Sequence, residues 1–174
     1  MGGSIDKAKD QAREIGKVNA MRGHLEMGNI LNNDKKVAEA EAEYVEAVNS
    51  SPDSSGIWYS IAQHYQDRQL WAEAFALYDR MLRQFPSEQM VHFWIGRTAA
   101  ISGEQLDRGE AELKGWLAAP PKDVAPVTLA GAHQRLGMIY EKQGKKDQAR
   151  AEYNTALAID PNSANAKKSL AALK

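Results

Sequence analysis

Cysteine is absent from this 174-residue chain, which excludes disulfide bonds, thiolate nucleophiles and cysteine-ligated zinc. No apolar run approaches the roughly 20 residues of a membrane-spanning helix. The first ten residues, MGGSIDKAKD, also lack the apolar core of a signal peptide. We therefore expect a soluble chain without membrane insertion, cytoplasmic by default, or periplasmic if a signal was removed during cloning.

An excess of charge of one sign is also lacking. The chain has 22 Lys and Arg against 23 Asp and Glu, a net charge of -1 and an isoelectric point near 6.4. No overall field draws it to nucleic acid, so we predict no nucleic-acid partner.

Motifs for catalysis are missing as well. The sequence has no G-x-S-x-G, H-E-x-x-H or G-x-G-x-x-G pattern. The glycines Gly137 and Gly144 superficially suggest a phosphate loop, but six residues separate them instead of four, and Lys146 stands where a Ser or Thr would hold magnesium. We predict no enzyme, no catalytic residue, no cofactor and no metal site.

The chain does contain an internal repeat. Three blocks align without gaps and end at Pro52, Pro86 and Pro161. Each has an alanine twelve residues and a tyrosine eight residues before its proline: Ala40, Ala74 and Ala149, then Tyr44, Tyr78 and Tyr153. A weaker block, 94–121, matches the last one at a spacing of 41. This spacing exceeds the 34 residues between Pro52 and Pro86 by seven. We place the seven extra residues in the Pro-rich segment 120–127, and one further residue is inserted near Gly109.

Apolar positions in every block recur at three and four residues, twice, with a short polar break between them, which predicts two antiparallel helices per block. The predicted helices are 22–33, 37–49, 55–67, 71–84, 89–101, 106–118, 128–142 and 146–159. A leading helix at 5–18 and a closing helix at 163–173 are added, and no segment has the alternation of a strand.

The last block resembles the tetratricopeptide repeat, because Leu136, Gly137, Tyr140, Ala149, Tyr153, Ala156 and Pro161 match its pattern. This resemblance implies an all-α fold, a right-handed α-superhelix or solenoid of helix-turn-helix units. The implied organisation is one continuous domain: a cloning remnant (1–4), a leading helix (5–20), repeats at 21–54, 55–88, 89–129 and 130–163, and a closing helix (164–174).

Members of this family bind peptides or proteins on a concave face lined by the first helix of each repeat, so the resemblance implies a non-catalytic protein-protein interaction module. Tyr59 and Phe93 would be apolar anchors, and Asn29, Asn33, Gln63 and Arg97 would orient the bound segment. The implied groove residues are Asn29, Asn33, Tyr59, Gln63, Gln66, Phe93, Arg97, Gln134 and Met138.

One subgroup of the family clamps the carboxylate of chaperone tails. Only Asn29 matches that set, so binding of chaperone tails is disfavoured, although Arg97 remains available for an isolated anionic group. The alternatives are a self-associating structural scaffold and an accessory domain of a larger envelope or enzyme complex. The sequence leaves the partner, the compartment and the oligomeric state open.

Two sets of residues share a register position between repeats. Gly28, Gly96 and Gly137, with Ala62 in the remaining repeat, predict a close approach of the paired helices. His24, His92 and His133 invite a metal site, but equivalent positions of stacked repeats are too far apart to share one ion. We expect half-buried imidazoles packed between helices. The carboxylates of one polar helix, Glu39, Glu41, Glu43 and Glu46, are expected to be solvated.

Overall fold

The computed structural model describes residues 2–51 and 55–173, and within these ranges it contains ten α-helices and no strand. In chain order they are α1 Gly2–Val18, α2 Ala20–Asn33, α3 Val37–Ser50, α4 Ser55–Asp67, α5 Trp71–Gln84, α6 Met90–Ser102, α7 Leu106–Ala118, α8 Pro126–Lys142, α9 Lys146–Ile159 and α10 Ala164–Ala172. No helix of this described part has the length and apolarity to cross a membrane.

Helix pairs account for the fold, so the all-α class is confirmed. Most helix ends fall within two residues of their predicted positions, and α1 begins three residues earlier than predicted. The helix α8 begins at Pro126, inside the segment predicted to be a connection, because proline lacks only an N–H that the first turn leaves unbonded anyway. Ser163 precedes α10, and its hydroxyl accepts a hydrogen bond from the Ala166 N–H. The proline at 52, which ends the first repeat, lies outside the described residues.

The chain divides into two compact units, residues up to His64 and residues from Tyr65 onward. In the first unit, α1 and α3 both pack against α2. In the second unit, α5 packs against α6, α6 against α7 and α8 against α9. Both α6 and α7 also contact α8, and α10 covers α9 and part of α8. That all repeats form one continuous domain remains a prediction.

The alanines and tyrosines that define the repeat lie in the cores of the helix pairs. Each is at most 1% exposed: Ala40, Tyr44, Ala74, Tyr78, Ala149 and Tyr153. A small residue beside a large one on the second helix lets the backbones approach while the ring fills the remaining space. The need for one small and one large side chain at these places explains why the same alanine and tyrosine recur in three repeats.

The shared glycines make the close contacts that their register predicts. A Cβ atom on Gly28 would lie 2.6 Å from the Tyr44 ring, and one on Gly137 would lie 2.6 Å from the Tyr153 ring. In the third repeat a Cβ atom at the same position, Gly96, would collide with Leu113. Real Cβ atoms do not approach this closely, so the helix-propensity cost of glycine is offset by packing.

Three-residue turns join the two helices of each repeat. A residue with positive φ follows the small residue of the first helix by seven positions in every case: Lys35, Gln69, Gly103 and Gly144. The third repeat has a second such residue, Gln105 with φ of 49°, directly before α7. The extra residue predicted near Gly109 therefore lies earlier, between Gly96 and the start of α7. Relative to that glycine, α6 ends and α7 begins one residue later than in the other repeats, so the turn still has three residues and α7 is not interrupted.

Candidate functional site

A buried polar network connects α4, α5 and α6 in the second unit. Gln66 is only 5% exposed; its amide donates to the Tyr78 hydroxyl at 2.6 Å, and its carbonyl oxygen accepts from Arg97. The Thr98 hydroxyl lies 3.2 Å from the same phenol and donates to the Trp94 carbonyl at 2.9 Å. Burial raises the pKa of Tyr78 above its ordinary value. Gln66 thus serves to position Arg97.

Two arginines come together on the first helices of the third and fourth repeats. The Arg97 guanidinium stacks over Trp94, 4.7 Å from the ring centroid. Burial lowers the pKa of Arg97, while Tyr78 and Asp67 raise it. Burial also lowers the pKa of Arg135, and the nearby charge of Arg97 lowers it further. An arginine pKa is so high that both groups stay charged at neutral pH.

A hollow of about 360 Å³ lies between α8 and α10. The wall from α8 consists of Gln134, Arg135, Met138 and Glu141, and the wall from α10 consists of Asn165, Lys168, Ser169 and Ala172. The Glu141 carboxylate accepts a hydrogen bond from the Tyr153 hydroxyl at 2.8 Å. This bond, after burial, raises the pKa of Tyr153. The hollow therefore combines two cations with one carboxylate that already has a partner.

Gln134 differs from Gln66 in its hydrogen bonding. It is 7% exposed and lines the hollow, yet its amide makes no hydrogen bond with any residue in the described part of the chain. Although the residue is buried as a whole, its amide atoms are not among the fully buried polar atoms without a partner. The amide therefore borders the open hollow and can form a hydrogen bond with a group that enters it.

Phe93 and Met138 are both half-buried. The Phe93 ring packs 5.3 Å from Trp116 and 6.3 Å from Trp94, between centroids, so part of its flat surface is used within the unit. The Met138 sulfur lies 3.5 Å from Nη1 of Arg135. In the second unit, therefore, Gln134, Met138 and Arg135 lie together, whereas Gln66 lies behind Arg97 in the core.

The first unit holds the other four predicted residues. Asn29 is exposed, and its side-chain oxygen accepts from the Tyr44 hydroxyl at 2.9 Å. Asn33 is exposed and lines a small hollow that also involves Ile5 and Ala8 of α1. Tyr59 and Gln63 are half-buried on α4. Asn33 thus lies beside the leading helix, which the sequence did not place there. Whether these residues bind a ligand remains a prediction.

The histidines that share a register position each pair with a glutamate of the second helix. The Nδ1–Oε2 distance is 2.7 Å for His24–Glu43, 2.5 Å for His92–Glu112 and 2.7 Å for His133–Glu152. The imidazoles are half-buried between helices, as expected. In the part of the chain that the structure describes, no three such side chains are grouped as metal ligands would be.

The pairing corrects one expectation. The prediction that Glu43 is solvated is wrong, because its position on α3 faces the paired helix α2 and its carboxylate lies within hydrogen-bond distance of the His24 ring. A signal was present in the sequence: His and Glu are separated by 19 residues twice, and by 20 in the repeat with the extra turn residue.

Paired antiparallel helices, repeated with the same cores and turns, define a helical-repeat protein whose first helices carry polar and aromatic side chains. Models of the tetratricopeptide repeat match residues 25–89, 59–124 and 130–163. The chain belongs to the tetratricopeptide repeat family, whose repeats generally mediate protein-protein interactions. No curated protein sequence matches it significantly.

Solved structures support the same fold. YrrB, described as a TPR protein with an unusual peptide-binding site, is 15% identical with a TM-score of 0.68, over 96% of this chain and 84% of its own. PilW, a type IV pilus biogenesis factor, is 21% identical with a TM-score of 0.69, over 89% and 69%. A thermophilic TPR protein from Thermus thermophilus is 21% identical with a TM-score of 0.63, over 98% and 91%. At these identities the likeness extends to the fold alone.

Proposed function

We propose that this protein is a non-catalytic interaction module that holds a peptide or protein segment against the first helices of its repeats. The observation that carries the proposal is Gln134, a buried amide that opens on a hollow and makes no hydrogen bond within the described chain. An extended peptide offers both a donor and an acceptor at every residue, which suits an amide. The peptide-binding site named for YrrB is consistent with this use of the fold.

Each unit contributes its own surface in this proposal. In the second unit, Phe93 and Met138 supply apolar area, and Arg97 and Gln134 orient the segment. In the first unit, Tyr59 supplies apolar area, while Asn29, Asn33 and Gln63 offer amides. The list for the second unit omits Gln66, whose amide is already bonded at both ends.

An array of random decapeptides, immobilised through their C-termini and probed with the purified chain, tests the proposal. We expect a set of bound peptides with micromolar affinity. The double variant Gln134→Ala, Met138→Ala should weaken binding of a selected peptide at least tenfold.

The matched control is Gln148→Ala, Asn154→Ala, which removes two exposed amides from α9 and should leave binding unchanged. If the array selects nothing, or if both double variants bind like the wild type, α8 is not a peptide-binding surface.

A further inference from the structure

We infer that the hollow between α8 and α10 recognises an acidic side chain, so that the bound segment is acidic. The inference rests on the proposed function and specifies the chemistry of its partner. It concerns a place where the chain gathers positive charge that its own carboxylates do not neutralise.

Arg135 carries the argument. Its side chain is half-buried in the wall of the hollow, and its one hydrogen bond in the described chain goes to the Met138 sulfur at 3.5 Å, a weak acceptor. No ion pair within the described residues involves it. A guanidinium that is partly shielded from water and has no carboxylate partner favours an incoming anion, and a planar, bidentate carboxylate is the group that best satisfies it.

The surroundings of Arg135 add further positive charge. Arg97 lies close enough for its charge to disfavour the protonated form of Arg135, which is repulsion between like charges. Lys168 adds a third cation on the opposite wall of the hollow. An entering anion would relieve this repulsion.

The carboxylates of the chain itself neutralise only part of this positive charge. Asp67 attracts Arg97, and Glu141 accepts the Tyr153 hydrogen. Neither forms an ion pair with Arg135 or Lys168 within the described residues. Glu141 also lines the hollow and would repel a second carboxylate. An acidic side chain should therefore bind beside Arg135 and away from Glu141.

Gln134 is an independent observation that points to a ligand. Its buried amide lines the same hollow without a partner in the described chain and can donate to a carboxylate oxygen that Arg135 binds. Asn165 and Ser169 on α10 add further polar groups to the opposite wall. A glutamate or aspartate side chain could thus meet a cation and an amide together.

The composition of the peptides selected on the array is the first test. Their C-termini are immobilised, so an excess of Asp and Glu reports side chains and not a terminal carboxylate. Selection of peptides without acidic enrichment would overturn the inference and leave the proposed function intact. No selection at all would overturn the proposed function.

Variants of Arg135 are the second test, measured with a selected acidic peptide and its counterpart in which Glu is replaced by Gln and Asp by Asn. We expect Arg135→Gln to weaken the acidic peptide about tenfold and to leave the amide counterpart unchanged. Arg135→Lys should retain part of the preference, because it keeps the charge. Arg150→Gln removes an exposed, ion-paired arginine of α9 and should have no effect.

Competitors identify the source of the anion. Inorganic phosphate at matched ionic strength should not displace the acidic peptide; displacement would indicate a simple anion site and overturn the assignment. Displacement by a twelve-nucleotide uridine oligomer would assign the hollow to RNA instead. Circular dichroism of each variant shows that lost binding does not reflect lost folding.

Discussion

Each of the three histidines that share a register position, His24, His92 and His133, pairs with a glutamate nineteen or twenty residues later. The second repeat has Trp58 and Leu77 at the corresponding positions, and both are buried. A histidine and a glutamate therefore occupy these two register positions in three repeats, and apolar residues occupy them in the second repeat. The three imidazoles are half-buried, so their nitrogens need hydrogen-bond partners, and the glutamates supply one to each.

The His133–Glu152 pair is expected to contribute measurable coupling. In a double-mutant cycle with His133→Gln and Glu152→Gln, we expect a coupling free energy of about 0.5–1 kcal/mol, because both side chains are mostly shielded from water. Urea unfolding of the four proteins gives the value.

The exposed pair Arg150–Asp147 on α9 is the control for that cycle and should show a smaller coupling. Equal coupling in the two cycles would mean that the position between the helices adds nothing.

Helix α8 carries two glycines with opposite surroundings. A Cβ atom on Gly137 would collide with the Tyr153 ring, whereas one on Gly131 would meet nothing within 4 Å. The Tyr153 ring cannot move aside freely, because it is fully buried and its hydroxyl is bonded to Glu141. The same substitution should therefore have opposite effects at two places on one helix.

We predict that Gly137→Ala destabilises the protein by about 1–3 kcal/mol through overpacking. Gly131→Ala should stabilise it by up to about 1 kcal/mol, since alanine favours the helix. Thermal unfolding of both variants measures the difference, and a loss of similar size in both would show that the contact with Tyr153 is unimportant.

The turn between α4 and α5 holds Gln69 at φ of 59°, while the corresponding turn before α9 has Gly144 at 77°. A left-handed conformation costs a non-glycine residue about 1 kcal/mol or more. We expect Gln69→Gly to stabilise by about 0.5 kcal/mol after the entropy of the unfolded chain is counted. Gly144→Ala should destabilise the protein by about 1 kcal/mol. Unfolding midpoints measure both changes, and midpoints that shift in the same direction for both variants would contradict this explanation.

Three tyrosines across the chain share an electrostatic property. Burial raises the pKa of Tyr78, of Tyr140 and of Tyr153, with nearby carboxylates adding to the rise for the last two. In the unfolded chain these phenols ionise near pH 10. Their contribution to stability is therefore complete below pH 10 and is lost as the pH rises toward their folded values.

Urea unfolding between pH 8 and pH 11 should show this loss, with a slope of up to about 1.4 kcal/mol per pH unit for each tyrosine above pH 10. Tyr153→Phe lacks one ionising group and should have a shallower slope than the wild type. An unchanged slope would mean that Tyr153 titrates normally in the folded protein.

The helices were predictable because every helix pair repeats the same apolar spacing. A helix end that is ambiguous in one repeat can therefore be placed from the equivalent position in another. The start of α8 was missed because a proline can begin a helix as well as prevent one. The wall formed by Asn165, Lys168 and Ser169 was missed for another reason. The family pattern points to the first helices of repeats, whereas α10 packs on the last repeat. Which side chains meet there depends on packing, which periodicity does not specify.

The turns have a consequence for how such a gene can change. Lys35, Gln69 and Gly144 each follow the small residue of the preceding helix by seven positions. An unequal crossover between two of these turns would add or delete whole helix pairs and keep each pair's internal contacts in phase. A crossover that joins the third repeat's turn at Gln105 to another turn would shift that phase by one residue. Recombination between the regular turns is therefore the route by which this chain could gain or lose repeats without losing its fold.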